Sequence, residues 1–144
     1  MGKMPITTLH YLHIVRVPVE MVLWWLGIWS LVPMEMTFEG SNFDIVSGIS
    51  APFAAVFLVG ARNKNRIGAI IWNLLALGLL VNIVATAIQF TPYFYDASTS
   101  AVPANKGVFY FPYILLPTFV VTSVLFCHVV SLYQLATKRD QSQF

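Results

Sequence analysis

Charge is the first thing this sequence has little of. Only 10% of its 144 residues are Asp, Glu, Lys or Arg, against about 25% in a soluble domain. So few charges cannot coat a water-facing surface, and the mean hydropathy of +0.74 points the same way: the solvent is largely lipid. The net charge of +2 is too small and too dispersed for a nucleic-acid partner. Cysteine is nearly absent as well. Cys127 stands alone in an apolar run, which excludes an internal disulfide and a CxxC redox pair and leaves a small packing residue. There is no HExxH, Walker or GxGxxG motif, no Ser/His/Asp set within the apolar runs, no internal repeat and no low-complexity tract. The sequence therefore nominates no catalytic residue and no metal site. A signal peptide fits poorly, because Arg16 and Glu20 crowd the first apolar stretch and no A-x-A site follows Trp29. The first helix is expected to stay on the mature protein.

What is present is length in the apolar runs. Crossing a bilayer core takes about 17–25 helical residues. Four segments qualify, near 12–32, 43–60, 67–90 and 111–135. The predicted fold is all-α, a polytopic membrane protein with four transmembrane helices in one bundle and a single domain over 1–144. The basic residues set its orientation. Lys3, Arg62, Lys64, Arg66, Lys138 and Arg139 fall on one side, the 33–42 loop holds none, and the 91–109 loop holds only Lys106. With four spans both termini are expected in the cytoplasm, with Glu35, Glu39 and Asp96 outside. Trp29, Phe90, Tyr93, Tyr95, Tyr110 and Tyr113 would anchor the outer interface, and Trp72 and Tyr133 the inner one.

The stretch HIVRVPVEMVLWWLGIW, residues 13–29, then poses a problem, since it puts Arg16 and Glu20 at the head of a lipid-suited run. If the helix begins at Pro18, Glu20 is a first-turn acid and Arg16 is interfacial. That helix, ended by Pro33, is about 22 Å long, whereas one beginning near Leu12 is about 31 Å and fits the bilayer. In the longer helix Glu20 lies about 3 Å from the midplane and Arg16 about 9 Å from it. Each then costs about 3 kcal/mol to insert, and Glu20 needs a partner. By depth, Asn73 and His128 fall between them, so Arg16, Glu20, Asn73 and His128 form the candidate intramembrane polar site, unless Asn73 and His128 only bond neighbouring helices.

A second polar row, Asn82, Thr86 and Gln89, shares one face of the third span at nearly the depth of Trp24 and Trp25. Trp25, Asn82, Thr86 and Gln89 are a candidate outward cavity, with a helix–helix seam as the plainer alternative. The second span carries Ser47, Gly48, Ala51, Ala54 and Ala55 for close packing, and Pro52 to kink it. Ser41-Asn42-Phe43-Asp44 reads as a capping box, with Asp44 as a cap. In the fourth span Pro117 should bend the helix, and Thr118, Thr122 and Ser123 can take up freed carbonyls. His10, His13 and His128 give haem ligation only weak support.

MTFEGSNFDIVSGISAP, WNLLALGLLVNIV and FPYILLPTFVVTSVLFCHVVSLYQL, together with RVPVEMVLW, resemble a group of small bacterial four-span membrane proteins over nearly the whole chain. The resemblance implies a bacterial cytoplasmic (inner) membrane and transfers no site residue. Three functions compete. The leading one is a structural or accessory protein, as a homo-oligomer or within a larger membrane complex. The runner-up is a small proton- or cation-coupled transporter or channel using Glu20. The third is a haem or quinone binder.

Overall fold

Pro5 sits in extended backbone and starts a helix that its own ring could not continue from upstream. The first rod runs through α1 (Ile6–Leu12), a tight 3₁₀ turn (His13–Val15) and α2 (Arg16–Ile28). Its 23 residues span about 34 Å. It begins six residues before the expected Leu12 and passes straight through Pro18, so neither Pro18 nor Leu12 is a start. Nor does Pro33 end it. Ser30 takes a left-handed conformation (φ 55°), and the Ser30 and Leu31 amides donate to the Gly27 and Leu26 carbonyls, both at 2.9 Å. This is a Schellman cap. The earlier start moves the centre of the rod to Val17, which puts Arg16 about 1.5 Å and Glu20 about 4.5 Å from the middle.

The computed structural model describes residues 5–60 and 65–137; among them there is no strand. Lys3, Arg62, Lys64, Lys138 and Arg139, on which the expected orientation rests, lie outside the described residues. Beyond the first rod come α3 (Asp44–Phe57), α4 (Arg66–Gln89) and α5 (Val121–Thr137), the last entered through one π-helical turn at Leu116–Val120. Three helices, Ile6–Ile28, Arg66–Gln89 and Leu116–Thr137, are long and apolar enough to cross a membrane. The outer faces of the helices, α3 included, carry large apolar side chains such as Phe53, Leu75, Phe119 and Phe126, a surface suited to lipid.

The expected second span is shorter than predicted. α3 has 14 residues, about 21 Å. It begins beside Arg16, at mid-depth, and runs back along α1. The remaining depth is filled by irregular chain. Residues 29–43 descend from the end of α2 into the bundle and bury Val32, Met36, Thr37 and Asn42. The Lys106 and Gly107 amides fasten a second loop to this one by donating to the Leu31 carbonyl at 3.1 and 2.7 Å. Non-helical backbone survives in an apolar medium only when protein covers it. Val32 and Pro33, Met36 and Thr37, and Asn42 are so covered, while residues 39–41 are exposed. The fourth helix also starts later than 111. Residues 107–115 form turns with a cis Phe111–Pro112 peptide. Pro117 lies in the π turn; the Tyr113 carbonyl that it leaves without a helical donor accepts from the Leu116 amide at 2.9 Å, and the Thr118 hydroxyl adds a bond to the Ile114 carbonyl at 2.7 Å.

α4 runs parallel to the first rod, while α3 and α5 run against it. Arg66 at the start of α4 donates to the Ala136 carbonyl near the end of α5. The proximal end thus holds the start of α1, the start of α4 and the end of α5. At the distal end, Leu23, Leu26, Val32, Met36, Leu80, Ile83, Val108 and Val124 form the apolar core. The small residues Ser47, Gly48, Ala51, Ala54 and Ala55 of α3 are all buried. The small-residue seam is therefore consumed inside the chain rather than left for another copy.

Candidate functional site

Arg16 lies at the centre of the bundle with 2% of its surface exposed. Its Nη1 donates to Asp44 Oδ1 at 2.8 Å, to the Ala76 carbonyl at 3.0 Å and to Ser47 Oγ. Its Nη2 lies 2.7 Å from His128 Nε2. Asp44 supplies the counter-charge, placed by the start of α3 at mid-depth. A buried guanidinium without such a partner is among the costliest groups a bundle can hold.

From Arg16 a chain of hydrogen bonds runs toward the proximal end, and its terminus fixes its direction. His10 Nδ1 meets the Ile6 carbonyl at 2.9 Å, and a carbonyl only accepts, so His10 carries its proton on Nδ1. His10 Nε2 then accepts from Asn73 Nδ2 at 3.1 Å. Asn73 Oδ1 accepts from His128 Nδ1 at 3.0 Å. His128 Nε2, left with its lone pair, accepts from Arg16. Every donor points the same way, and both histidines are neutral Nδ1–H tautomers. Rings pack around the chain, with Trp72 stacked on His10 at 5.1 Å and His13 on His128 at 4.1 Å between centroids. The Trp72 indole donates to Ser50 Oγ at 3.0 Å.

Glu20 takes its partner from outside the expected group of Arg16, Asn73 and His128. Its Oε1 accepts from Asn42 Nδ2 at 2.5 Å. Asn42 also donates to the Met36 carbonyl at 3.0 Å, and its Oδ1 accepts from the Asp44 amide at 3.1 Å. The descending 29–43 segment thus delivers the group that holds Glu20. It also undoes the capping-box reading. Ser41 Oγ bonds the Glu35 carbonyl at 3.0 Å, Asn42 caps the α3 start, and Asp44 faces Arg16. Glu20 is not a helix-start acid.

Arg16, Asn73 and His128 of the predicted polar site meet directly, and Glu20 joins through Asn42 and the shared surroundings of Asp44. Sequence reasoning missed Asp44, Asn42, Ser47 and His10. One signal was available: besides Glu20, Asp44 is the only carboxylate within a predicted span.

The second predicted set does not come together around a cavity. Trp25 is 65% exposed on the outer face of α2. Asn82 Nδ2 donates to the Ser41 carbonyl at 3.1 Å, Thr86 bonds within its own helix, and Gln89 is exposed. A cavity of about 270 Å³ does exist, on another side of α4, between α2, α4 and the start of α5. Its walls are nearly all aliphatic, with Leu23, Leu80, Ile83, Ala87, Val120 and Val124 among them. Arg16, Glu20 and Asp44 close its proximal end. Three polar atoms on its lining residues, Arg16 Nε, Glu20 Oε2 and Asn105 Oδ1, are buried without a hydrogen-bond partner among the described residues. Among those residues no group of three His, Cys, Asp or Glu side chains is arranged to hold a metal ion.

Together, fold and site define a helical protein of membrane-spanning character, built on a buried Arg–Asp–His–Asn network beside an apolar cavity. The chain belongs to the family described as Domain of unknown function (DUF8737), which it matches over residues 3–136. No curated protein matches it. No solved structure matches it.

Proposed function

We propose that this protein is an intramembrane binding protein for a small lipid-soluble molecule. One observation carries the reading: an aliphatic cavity ends on Arg16 and Glu20, each buried and each keeping a polar atom unmatched by protein. Pockets for small apolar molecules have this make-up, a hydrophobic wall with few polar groups at one place. Buried polar atoms are nearly always satisfied, so two unmatched ones on residues that line one cavity support a bound molecule there. A purely structural role explains the α3 seam and the Arg16 network, but not these two atoms. Coupling of a cation or proton at Glu20 is the second reading, supported by the unmatched oxygen of a carboxylate whose residue lines the cavity. The membrane proposed is the bacterial inner one, crossed four times with both termini cytoplasmic, the third helix and its flanking turns making the short crossing.

The test is native mass spectrometry of the protein released from its own membrane. Wild type is expected to carry a small-molecule adduct. Ala87→Trp, which fills the cavity from its α4 wall, is expected to lose the adduct and keep the same helical circular dichroism. Wild type and variant with identical masses above the bare chain would refute binding. Proton or cation flux in proteoliposomes, abolished by Glu20→Gln, would instead favour the coupled reading.

A further inference from the structure

We propose that two copies of this chain pair through the outer face of α4, with Asn82 hydrogen-bonded to the partner's Asn82. α4 carries two rows with the same alternating steps of four and three residues. Ala69, Asn73, Ala76, Leu80 and Ile83 are buried and face the bundle. Two residues after each of these stand Ile71, Leu75, Gly78, Asn82 and Ala85, all exposed, and Gln89 continues their row. Two residues make about 200° of turn, so the second row lies opposite the first. A mean step of about 3.5 residues is that of a seam between two helices crossing at about 20°. Between Arg66 and the end of α4 there is no charged residue, so no like charges meet when two such helices pair.

Small residues permit a close approach, but an amide at hydrocarbon depth demands a partner. Gly78 lies about 1 Å from the midpoint of α4. A Cβ there meets nothing within 4 Å, so the row has a groove at its centre. Asn82 lies about 7 Å from the midpoint, inside a hydrocarbon core about 30 Å thick. It spends one N–H on the Ser41 carbonyl at 3.1 Å. Its Oδ1 and its second N–H have no partner among the described residues. Lipid tails offer neither a donor nor an acceptor. Asn and Gln in membrane helices find theirs on another helix. Residues 39–41, exposed and held at the height of Asn82 through Ser41, add polar chain beside it.

A second copy fits this face by symmetry. Copies inserted in the same sense are related by a two-fold axis along the membrane normal, so their α4 helices run parallel and equal residues meet at equal heights. The two grooves at Gly78 then face each other, and so do the two Asn82 side chains. An amide is its own complement, since each Oδ1 accepts from the Nδ2 opposite. The groups that Asn82 leaves unmatched are thereby matched twice, in two equivalent bonds. A single Asn in a seam of this kind also fixes register and oligomer state. The cavity lies on another side of α4, lined by Leu80, Ile83 and Ala87, so pairing and ligand binding stand or fall separately.

The experiment measures energy transfer between full-length chains, labelled at the C-terminus, in liposomes over a range of protein-to-lipid ratios. Wild type is expected to dimerise. Gly78→Leu fills the groove from a position that touches nothing in its own protomer, and is expected to leave monomers with unchanged helical circular dichroism. Asn82→Leu removes both equivalent bonds and is expected to weaken the dimer about eightfold, from the average strength of such bonds. Under copper phenanthroline, Gly78→Cys and Ala85→Cys are expected to give disulfide-linked dimers, whereas Phe126→Cys, on the exposed face of α5, is not. Energy transfer that is absent in wild type, or equal in wild type and Gly78→Leu, overturns the pairing. So does cross-linking of Phe126→Cys as strong as that of Gly78→Cys. If Ala85→Cys fails to cross-link and reacts with a membrane-impermeant maleimide, water and not a second copy covers Asn82, and the proposal falls. Should Gly78→Leu not fold, the order of cross-linking at the three positions decides alone.

Discussion

The two sides of Arg16 handle polarity in opposite ways. Toward the proximal end, His128, Asn73 and His10 hand hydrogen bonds along a line that stops on the Ile6 backbone carbonyl, and each of their side-chain nitrogens and oxygens has a partner. Toward the distal end, Glu20 Oε2, Arg16 Nε and Asn105 Oδ1 have none among the described residues, and their residues line a cavity with aliphatic walls. A saturated polar network in low dielectric fixes one arrangement of its helices. An unsaturated one is a place where something else can bind. The proximal half behaves as frame and the distal half as site. His13, Ser131 and Arg66 are exceptions in the frame: both His13 ring nitrogens, Ser131 Oγ and Arg66 Nε lack partners among the described residues, although the His13 ring is stacked on His128.

The largest test of that division is Arg16→Met, which leaves Asp44 buried without its counter-charge. Removing one partner of a buried ion pair costs about 3–5 kcal/mol, read here as a shift in denaturant or SDS unfolding in bicelles. Adding Asp44→Asn is expected to recover part of that loss, because the second change removes the stranded charge. If the single variant is as stable as wild type, Arg16 does not organise the frame. Asn73→Leu comes next. It leaves His10 Nε2 and His128 Nδ1 without partners, at about 1–3 kcal/mol for stranded buried groups. Since Asn73 is not on the cavity lining, the loss should appear in stability and leave the cavity's preference among bound molecules unchanged.

A pair of glycines tests the same frame without touching polarity. A Cβ on Gly48 would lie 3.1 Å from both the Val17 amide nitrogen and Arg16 Cβ, and 2.9 Å from Val17 Cγ2. The close approach holds the start of α3 against Arg16. Gly48→Ala should therefore cost about 1–3 kcal/mol by overpacking and loosen the Arg16–Asp44 pair. A Cβ on Gly78 meets nothing within 4 Å. Gly78→Ala should be neutral or stabilise by up to about 1 kcal/mol, the helix-propensity difference. Equal effects of the two substitutions in thermal unfolding would mean that the α2–α3 contact carries no special demand.

Composition and run length were enough to make the helices legible, and α4 in particular falls within a residue of its predicted limits. Its long unbroken apolar run and its Asn65 cap, which accepts from the Gly68 amide at 2.9 Å, leave little choice. Depth arithmetic also put Arg16, Asn73 and His128 at neighbouring heights, because helical rise converts sequence into height, and their side chains are joined by hydrogen bonds through His128. What it could not supply was facing and non-helical chain. Asp44 reads locally as a cap, and only the descent of residues 29–43 turns it toward Arg16. The same descent brings Asn42 to Glu20, a contact with no periodic signature. The polar row Asn82, Thr86 and Gln89 shows the opposite error. Its spacing is correct for one face, but that face is turned away from the cavity, and periodicity names a face without saying what it meets.

Asn82 gives the smallest and most discriminating of the tests. Its amide donates to the Ser41 carbonyl, one residue before the Asn42 that holds Glu20 and four after the buried pair Met36 and Thr37. If it acts as a plain interhelical bond, Asn82→Leu should cost about 0.6 kcal/mol, the average for such contacts in membrane bundles. If it instead pins the irregular segment, the small loss in stability should come with faster hydrogen exchange at the Ser41, Asn42 and Asp44 amides, while the amides of α5 keep their protection. That outcome would tie the position of Asn42, and through it the buried carboxylate of Glu20, to a residue on the outer face of α4. Exchange that rises uniformly, or not at all, would leave the distal half ordered by its own backbone bonds, with Asn82 contributing only its single contact.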